Sequence, residues 1–293
     1  MPLVKSKLSL FVILLFVATS CSVTKSISSS YPEMPQEYRN YKGILRSVTY
    51  PTSVPGPKER RMYAYLPPDY DNSDTRYHVL YLLHGARGDE FSWITQGTIL
   101  TLIDSLMTNG EMKPMIVVFP NMNSYDSDED YAMSRHKGAL ESFFEVDGVV
   151  ETSFVNDVVR STDSLFRTIP EKKARAIAGL SLGGMQAIYI SASSPSTFGQ
   201  VGVFSAPLHS AIKQSPYSSF YKDIETKLDA QLTDTTLTYE VYVGSMDIYH
   251  GAMKKFSEKV NAKGIKCGFH EVKGGHEWRV WREFVRDFLN ILQ

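Results

Sequence analysis

Apolar positions along the chain fall into two kinds of run that alternate. Glu59 to Pro68 (ERRMYAYLPP) has strand character and stops at a double proline, and Asp69 to Asp74 that follows is turn chemistry. Tyr77 to Leu83 (YHVLYLL) and Met115 to Phe119 (MIVVF) are almost continuously apolar, as expected of strands covered on both faces. Arg175 to Leu180, Val201 to Phe204, Tyr239 to Val243 and Phe269 to Val272 read as further strands. Between them, Thr98 to Met107, Val150 to Leu165, the stretch after Ser181, Ala252 to Val260 and Glu277 to Leu292 repeat with helical period. In Val150 to Leu165 the period places Phe154, Val158 and Leu165 on one face. The last helix carries Trp278, Trp281, Val285 and Phe288 on one side. Strands alternating with helices predict an α/β fold, a mostly parallel sheet with helices on both faces. Its functional loops should lie at the carboxyl ends of the strands.

Composition changes this picture little. The chain has 293 residues, 43% of them hydrophobic, enough for a large core in a single α/β domain. A formal net charge of -1 leaves no electrostatic footprint for nucleic acid, and no helix carries a basic stripe.

The N-terminus reads differently. Lys5 and Lys7 precede an apolar run from Leu8 to Ala18 that is short for a membrane span. It ends in Ala18-Thr19-Ser20-Cys21, which resembles a bacterial lipoprotein signal with Cys21 as the lipidated first residue of the mature chain. Residues 1–20 are therefore expected to be a signal peptide, 21–37 a Ser-, Thr- and Pro-rich flexible tether, and 38–293 the folded domain. The expectation is an exported lipoprotein on a bacterial membrane, with the outer membrane favoured, facing either periplasm or cell surface. Membrane contact would run through Cys21 alone. Cys21 and Cys267 are the only cysteines, so a lipidated Cys21 leaves no intrachain disulfide. Two cysteines cannot make a zinc site, and Cys267 reads as a small buried hydrophobe in a strand.

The chemistry centres on Ala178-Gly179-Leu180-Ser181-Leu182-Gly183-Gly184. An apolar strand breaks at a glycine, a serine follows, and two glycines open a helix: the Gly-x-Ser-x-Gly nucleophile elbow. A serine needs a base and a carboxylate to orient that base, and in this architecture they follow in the order serine, acid, histidine. His276 sits in Gly274-Gly275-His276-Glu277, after the last strand and before the final helix, and is the candidate base. His270 lies inside a strand and His250 opens a helix, so both read as structural. Asp247 follows the penultimate strand in Gly244-Ser245-Met246-Asp247 and is the candidate acid, against Asp229 and Asp234 in polar stretches before that strand. The oxyanion hole would use the amides of Leu182 and Ala86, the latter in the His84-Gly85-Ala86-Arg87 loop. His84 is expected to prop that loop from behind. Asp126 to Asp130 carries alternating acids without the glycine and distal glutamate of an EF-hand, and reads as a solvated loop. The long segments 121–147 and 206–231 are expected to shape the pocket. No metal or cofactor is required.

These motifs together resemble the carbohydrate esterase family 1 group of α/β-hydrolases, which includes feruloyl and acetylxylan esterases. The resemblance covers about residues 40–293. It rests on Tyr65-Leu66-Pro67-Pro68-Asp69-Tyr70, Val79 to Gly85, Ala176 to Gly184, and Gly275-His276-Glu277-Trp278 with Trp281. It implies triad roles for Ser181, Asp247 and His276, an oxyanion hole from Ala86 and Leu182, and hydrolysis of acyl groups on plant cell-wall polysaccharide such as arabinoxylan. Many relatives carry further glycines where this chain has Ala86-Arg87, which leaves open whether Arg87 lines the pocket or points to solvent. S-formylglutathione hydrolases, siderophore esterases and mycolyl transferases also resemble this group, so another small acyl or thiol ester stays an alternative. A carbohydrate-binding lipoprotein without turnover is the other.

Overall fold

The computed structural model describes residues 40–125, 127–129, 145–208, 211–212 and 215–292. The signal segment, the tether, Cys21, and Asp126 and Asp130 of the acidic run lie outside the described residues.

In chain order the strands are β1 (Ile44–Pro51), β2 (Glu59–Leu66), β3 (His78–Leu83), β4 (Met115–Pro120), β5 (Glu145–Val146), β6 (Arg175–Leu180), β7 (Gln200–Phe204), β8 (Ala211–Ile212), β9 (Thr238–Gly244) and β10 (Lys266–Val272). The described helices are α1 (Ser92–Thr95), α2 (Ile99–Thr108), α3 (Val149–Phe154, continued by Val155–Val159 and Arg160–Leu165), α4 (Leu182–Ser193), α5 (Ile224–Gln231), α6 (His250–Ala262) and α7 (Trp278–Ile291). Eight strands form one sheet in the order β1-β2-β4-β3-β6-β7-β9-β10. β2 runs antiparallel to both its neighbours, and every other pair is parallel. β5 and β8 pair separately.

Strand alternation sends side chains to two cores. Val79, Tyr81, Ile116 and Val118 face one core with α3, α4, α5 and α6, while Leu80, Leu82, Val117 and Phe119 face the other with α1, α2 and α7. This is why β3 and β4 read as unbroken apolar runs: both faces are covered. Helix α4 has no polar stripe because Gly183 through Ala192 are all buried.

Three expectations need correction. Leu165 does not share the face of Phe154 and Val158; it is 40% exposed. Val155–Val159 is a π-helical segment that slips the register, so the buried positions downstream are Val159 and Thr162. Segment 206–231 is not one long loop. It contains α5, where Leu228 and Gln231 are buried, and a 3-10 turn at Ser218–Tyr221. Cys267 lies in β10 as expected but is only half-buried. The antiparallel β1 also went unread, because its alternation is weak and most of it is half-exposed.

Candidate active site

Ser181 stands between the last residue of β6 and the first of α4, with φ 52 and ψ -122. An L-residue avoids this backbone, and its neighbours hold it there. A β-carbon on Gly179 would lie 2.4 Å from the Gly183 carbonyl oxygen, and one on Gly183 would lie 2.2 Å from the His84 carbonyl oxygen. Only glycine lets strand, helix and the loop after β3 approach so closely. The Ser181 amide donates to the Phe204 carbonyl of β7 at 2.8 Å, which ties the turn to the neighbouring strand.

Asp247 sits in the loop between β9 and α6, and His276 between β10 and α7. The two loops are bonded to each other: the Ser245 amide donates to Val272 O at 2.9 Å and the Met246 amide to Gly274 O at 2.9 Å. Ser181, Asp247 and His276 therefore meet at the carboxyl ends of β6, β9 and β10. Ser181 Oγ lies 2.9 Å from His276 Nε2, and His276 Nδ1 lies 3.0 Å from Asp247 Oδ2. The other Asp247 oxygen accepts the Tyr249 amide at 2.9 Å. Burial pushes the Asp247 carboxyl up, but the hydrogen bonds from His276 and Tyr249 outweigh it and hold the group below the usual carboxylate range. An ionised Asp247 can only accept a hydrogen bond, so Nδ1 must carry the proton and donate it to the carboxylate. That leaves Nε2 of the neutral ring as the acceptor for the Ser181 hydroxyl.

Aromatic rings fix the imidazole in place. Trp281 meets it edge-on with centroids 4.8 Å apart, and Tyr249 at 5.3 Å. Trp281 packs on Trp278, which packs on Trp93, whose indole N–H donates to the Leu83 carbonyl at the end of β3. Both Ser181 and Asp247 are buried, and the His276 side chain is 27% exposed, enough for a substrate to reach it.

The loop after β3 lies against the elbow. A β-carbon on Gly85 would stand 3.2 Å from Ser181 Cβ, so Ala86 follows directly beside the nucleophile. Among the described residues neither the Ala86 nor the Leu182 amide donates within the protein. His84 stays out of the triad. Its Nδ1–H donates to Gly85 O at 2.8 Å and its Nε2 accepts the Met122 amide at 2.9 Å, so it bridges the loops after β3 and β4. Burial depresses its pKa and keeps it neutral for that task. Arg87 is exposed, with φ 63.

The rejected candidates have other partners. His270 bonds Glu240 at 2.8 Å and stacks on Tyr242, and His250 pairs with Glu271. Asp229 faces Lys259 and Lys263, and Asp234 pairs with Lys172. Asp128 of the acidic run accepts the Lys58 amide at 2.9 Å. The amide of Tyr249 was missed, since any residue two positions after an aspartate could supply it.

The folded domain is similar to known proteins over most of its length. An endo-1,4-beta-xylanase/feruloyl esterase of Xylanibacter ruminicola is 28% identical over 273 residues, covering 89% of this chain and 34% of that protein. The chain thus spans about a third of that relative's length. A ferulic acid esterase structure matches with a TM-score of 0.69 at 24% identity, covering 86% of this chain and 98% of the other. The feruloyl esterase module from Clostridium thermocellum complexed with sinapinate matches with a TM-score of 0.68 at 19% identity, covering 91% and 95%. Both structures share the fold, that of the α/β-hydrolases. A sequence profile of the Esterase family matches residues 54–290, nearly all of the folded domain. The chain belongs to the Esterase family, with the α/β-hydrolase fold of carboxylic ester hydrolases.

Proposed function

We propose that the protein removes acyl groups, feruloyl or acetyl, from plant cell-wall polysaccharide such as arabinoxylan through an acyl-enzyme on Ser181. The observation that carries this reading is the continuous relay from Ser181 Oγ through the His276 ring to Asp247. In the first step Nε2 takes the serine proton while Oγ bonds to the ester carbonyl carbon. The Ala86 and Leu182 amides receive the oxyanion, aided by the N-terminus of α4. The carbon–oxygen bond to the sugar then breaks, and His276 returns its proton to the departing alkoxide. Water repeats the sequence, releases the acid and restores Ser181. Throughout, Asp247 holds Nδ1–H and stabilises the imidazolium.

The substrate class rests on the curated relative's name and on the sinapinate-bound module, together with one feature of this chain. Met246 and Ile248 flank Asp247 and are 68% and 79% exposed, an apolar rim that suits a bulky acyl group. Cys21 supplies the anchor in this reading. The test is release of ferulate and acetate from defined arabinoxylan fragments by the purified protein. Release of at least one acid is expected. Cleavage of 4-nitrophenyl acetate with neither acid released would overturn the polysaccharide assignment.

A further inference from the structure

Two non-glycine residues with left-handed backbone stand at the ends of neighbouring strands. One is Ser181 after β6, and the other is Ser205 after β7, with φ 51. Ser205 is fully buried and its amide donates to Tyr242 O of β9 at 2.8 Å. The preceding residue, Phe204, accepts the Ser181 amide. Ser205 therefore lies just past the end of β7, the strand between the nucleophile's β6 and the β9 that carries the acid loop.

Glycine would take this backbone without strain, yet the position carries a hydroxyl. That hydroxyl is buried and closes no well-formed hydrogen bond among the described residues. A buried polar atom without a partner is disfavoured unless something else requires it. The group beside it is the Asp247 carboxyl. Burial raises that carboxyl, the His276 and Tyr249 hydrogen bonds lower it, and Ser205 adds to the lowering. The two Asp247 oxygens already bond His276 and Tyr249, and each has room for a second donor.

We propose that Ser205 is a positioning residue of the triad, whose hydroxyl swings to donate to the Asp247 carboxylate as positive charge builds on His276. The inference rests on the Ser181–His276–Asp247 reading. It explains why a strained buried position keeps an oxygen: the hydroxyl steadies the carboxylate at the moment its pairing with the imidazolium matters most.

The test compares Ser205→Gly and Ser205→Ala in the wild-type and Asp247→Asn backgrounds, with Ser181→Ala alongside. Both Ser205 variants should lower kcat about tenfold, the loss of one hydrogen bond to a charged group, with KM within about twofold. Ser205→Gly should melt no lower than wild type, because it relieves the backbone. In the Asp247→Asn background either change should cost less than about twofold further, since Ser205 acts through Asp247. Full kcat in Ser205→Gly, or an undiminished loss in the Asp247→Asn background, overturns the inference. Substantial activity in Ser181→Ala would instead overturn the triad itself.

Discussion

The elbow's tightest contact gives the sharpest prediction. Gly183 lies in the first turn of α4, and a β-carbon there would stand 2.2 Å from the His84 carbonyl oxygen. Real β-carbons do not come closer than 3.0 Å, so Gly183→Ala must separate helix and loop by at least the 0.8 Å difference. His84 cannot simply withdraw, since its ring is fastened to Gly85 O and to the Met122 amide. The two parts forced apart carry the Leu182 amide and the Ala86 amide, so the proposed oxyanion donors lose their spacing. A misplacement of about 1 Å at a reacting centre costs on the order of a hundredfold in rate. Overpacking costs about 1–3 kcal/mol, which in a domain of this size lowers Tm by about 2–10 °C. The assay is kcat/KM on 4-nitrophenyl acetate alongside a thermal melt. Gly251→Ala is the control: it lies in α6, its β-carbon would meet nothing within 4 Å, and both rate and Tm should hold. A Gly183→Ala enzyme with wild-type rate and Tm would refute the contact. A lowered Tm with an unchanged rate would refute the placement of the donors.

Two other expectations follow from different parts of the chain. Glu151 is buried on α3, and Gln186 of α4 donates to its Oε1 at 2.7 Å; burial raises its pKa and outweighs the hydrogen bonds from Tyr221 and Gln186. A raised carboxyl costs stability as pH climbs above its ordinary value of 4.5, so Glu151→Gln should leave Tm nearly unchanged at low pH and raise it at pH about 8. Equal shifts at both pH values would contradict that. If Cys21 is lipidated, the protein should partition with membranes and Cys21→Ser should free it. Mature soluble wild-type protein beginning at another residue would defeat the lipoprotein reading.

The triad was legible in the sequence because each member sits where a strand ends and a glycine-bearing turn begins. Gly179 and Gly183 flank Ser181, Gly244 precedes Asp247, and Gly274 and Gly275 precede His276. The central strands were legible because covered faces demand unbroken apolar runs. What the sequence concealed depends on contacts between distant segments. Leu165 left its expected face because of a π segment that hydrophobic period does not register. Helix α5 escaped because only Leu228 and Gln231 of IETKLDAQ are buried, too few for an apolar stripe. Ser205 looks like any serine until its φ and its neighbours in space are known.

The central claim is a covalent acyl-enzyme on Ser181. Rapid quenching of the enzyme with 4-nitrophenyl acetate, followed by mass analysis of its peptides, tests it directly. An acetyl group should appear on the peptide holding Ser181, with a burst of nitrophenolate matching the enzyme present. Ser181→Ala should show neither adduct nor burst. An adduct on a different residue, or a Ser181→Ala variant keeping more than about a tenth of wild-type turnover, would contradict the account.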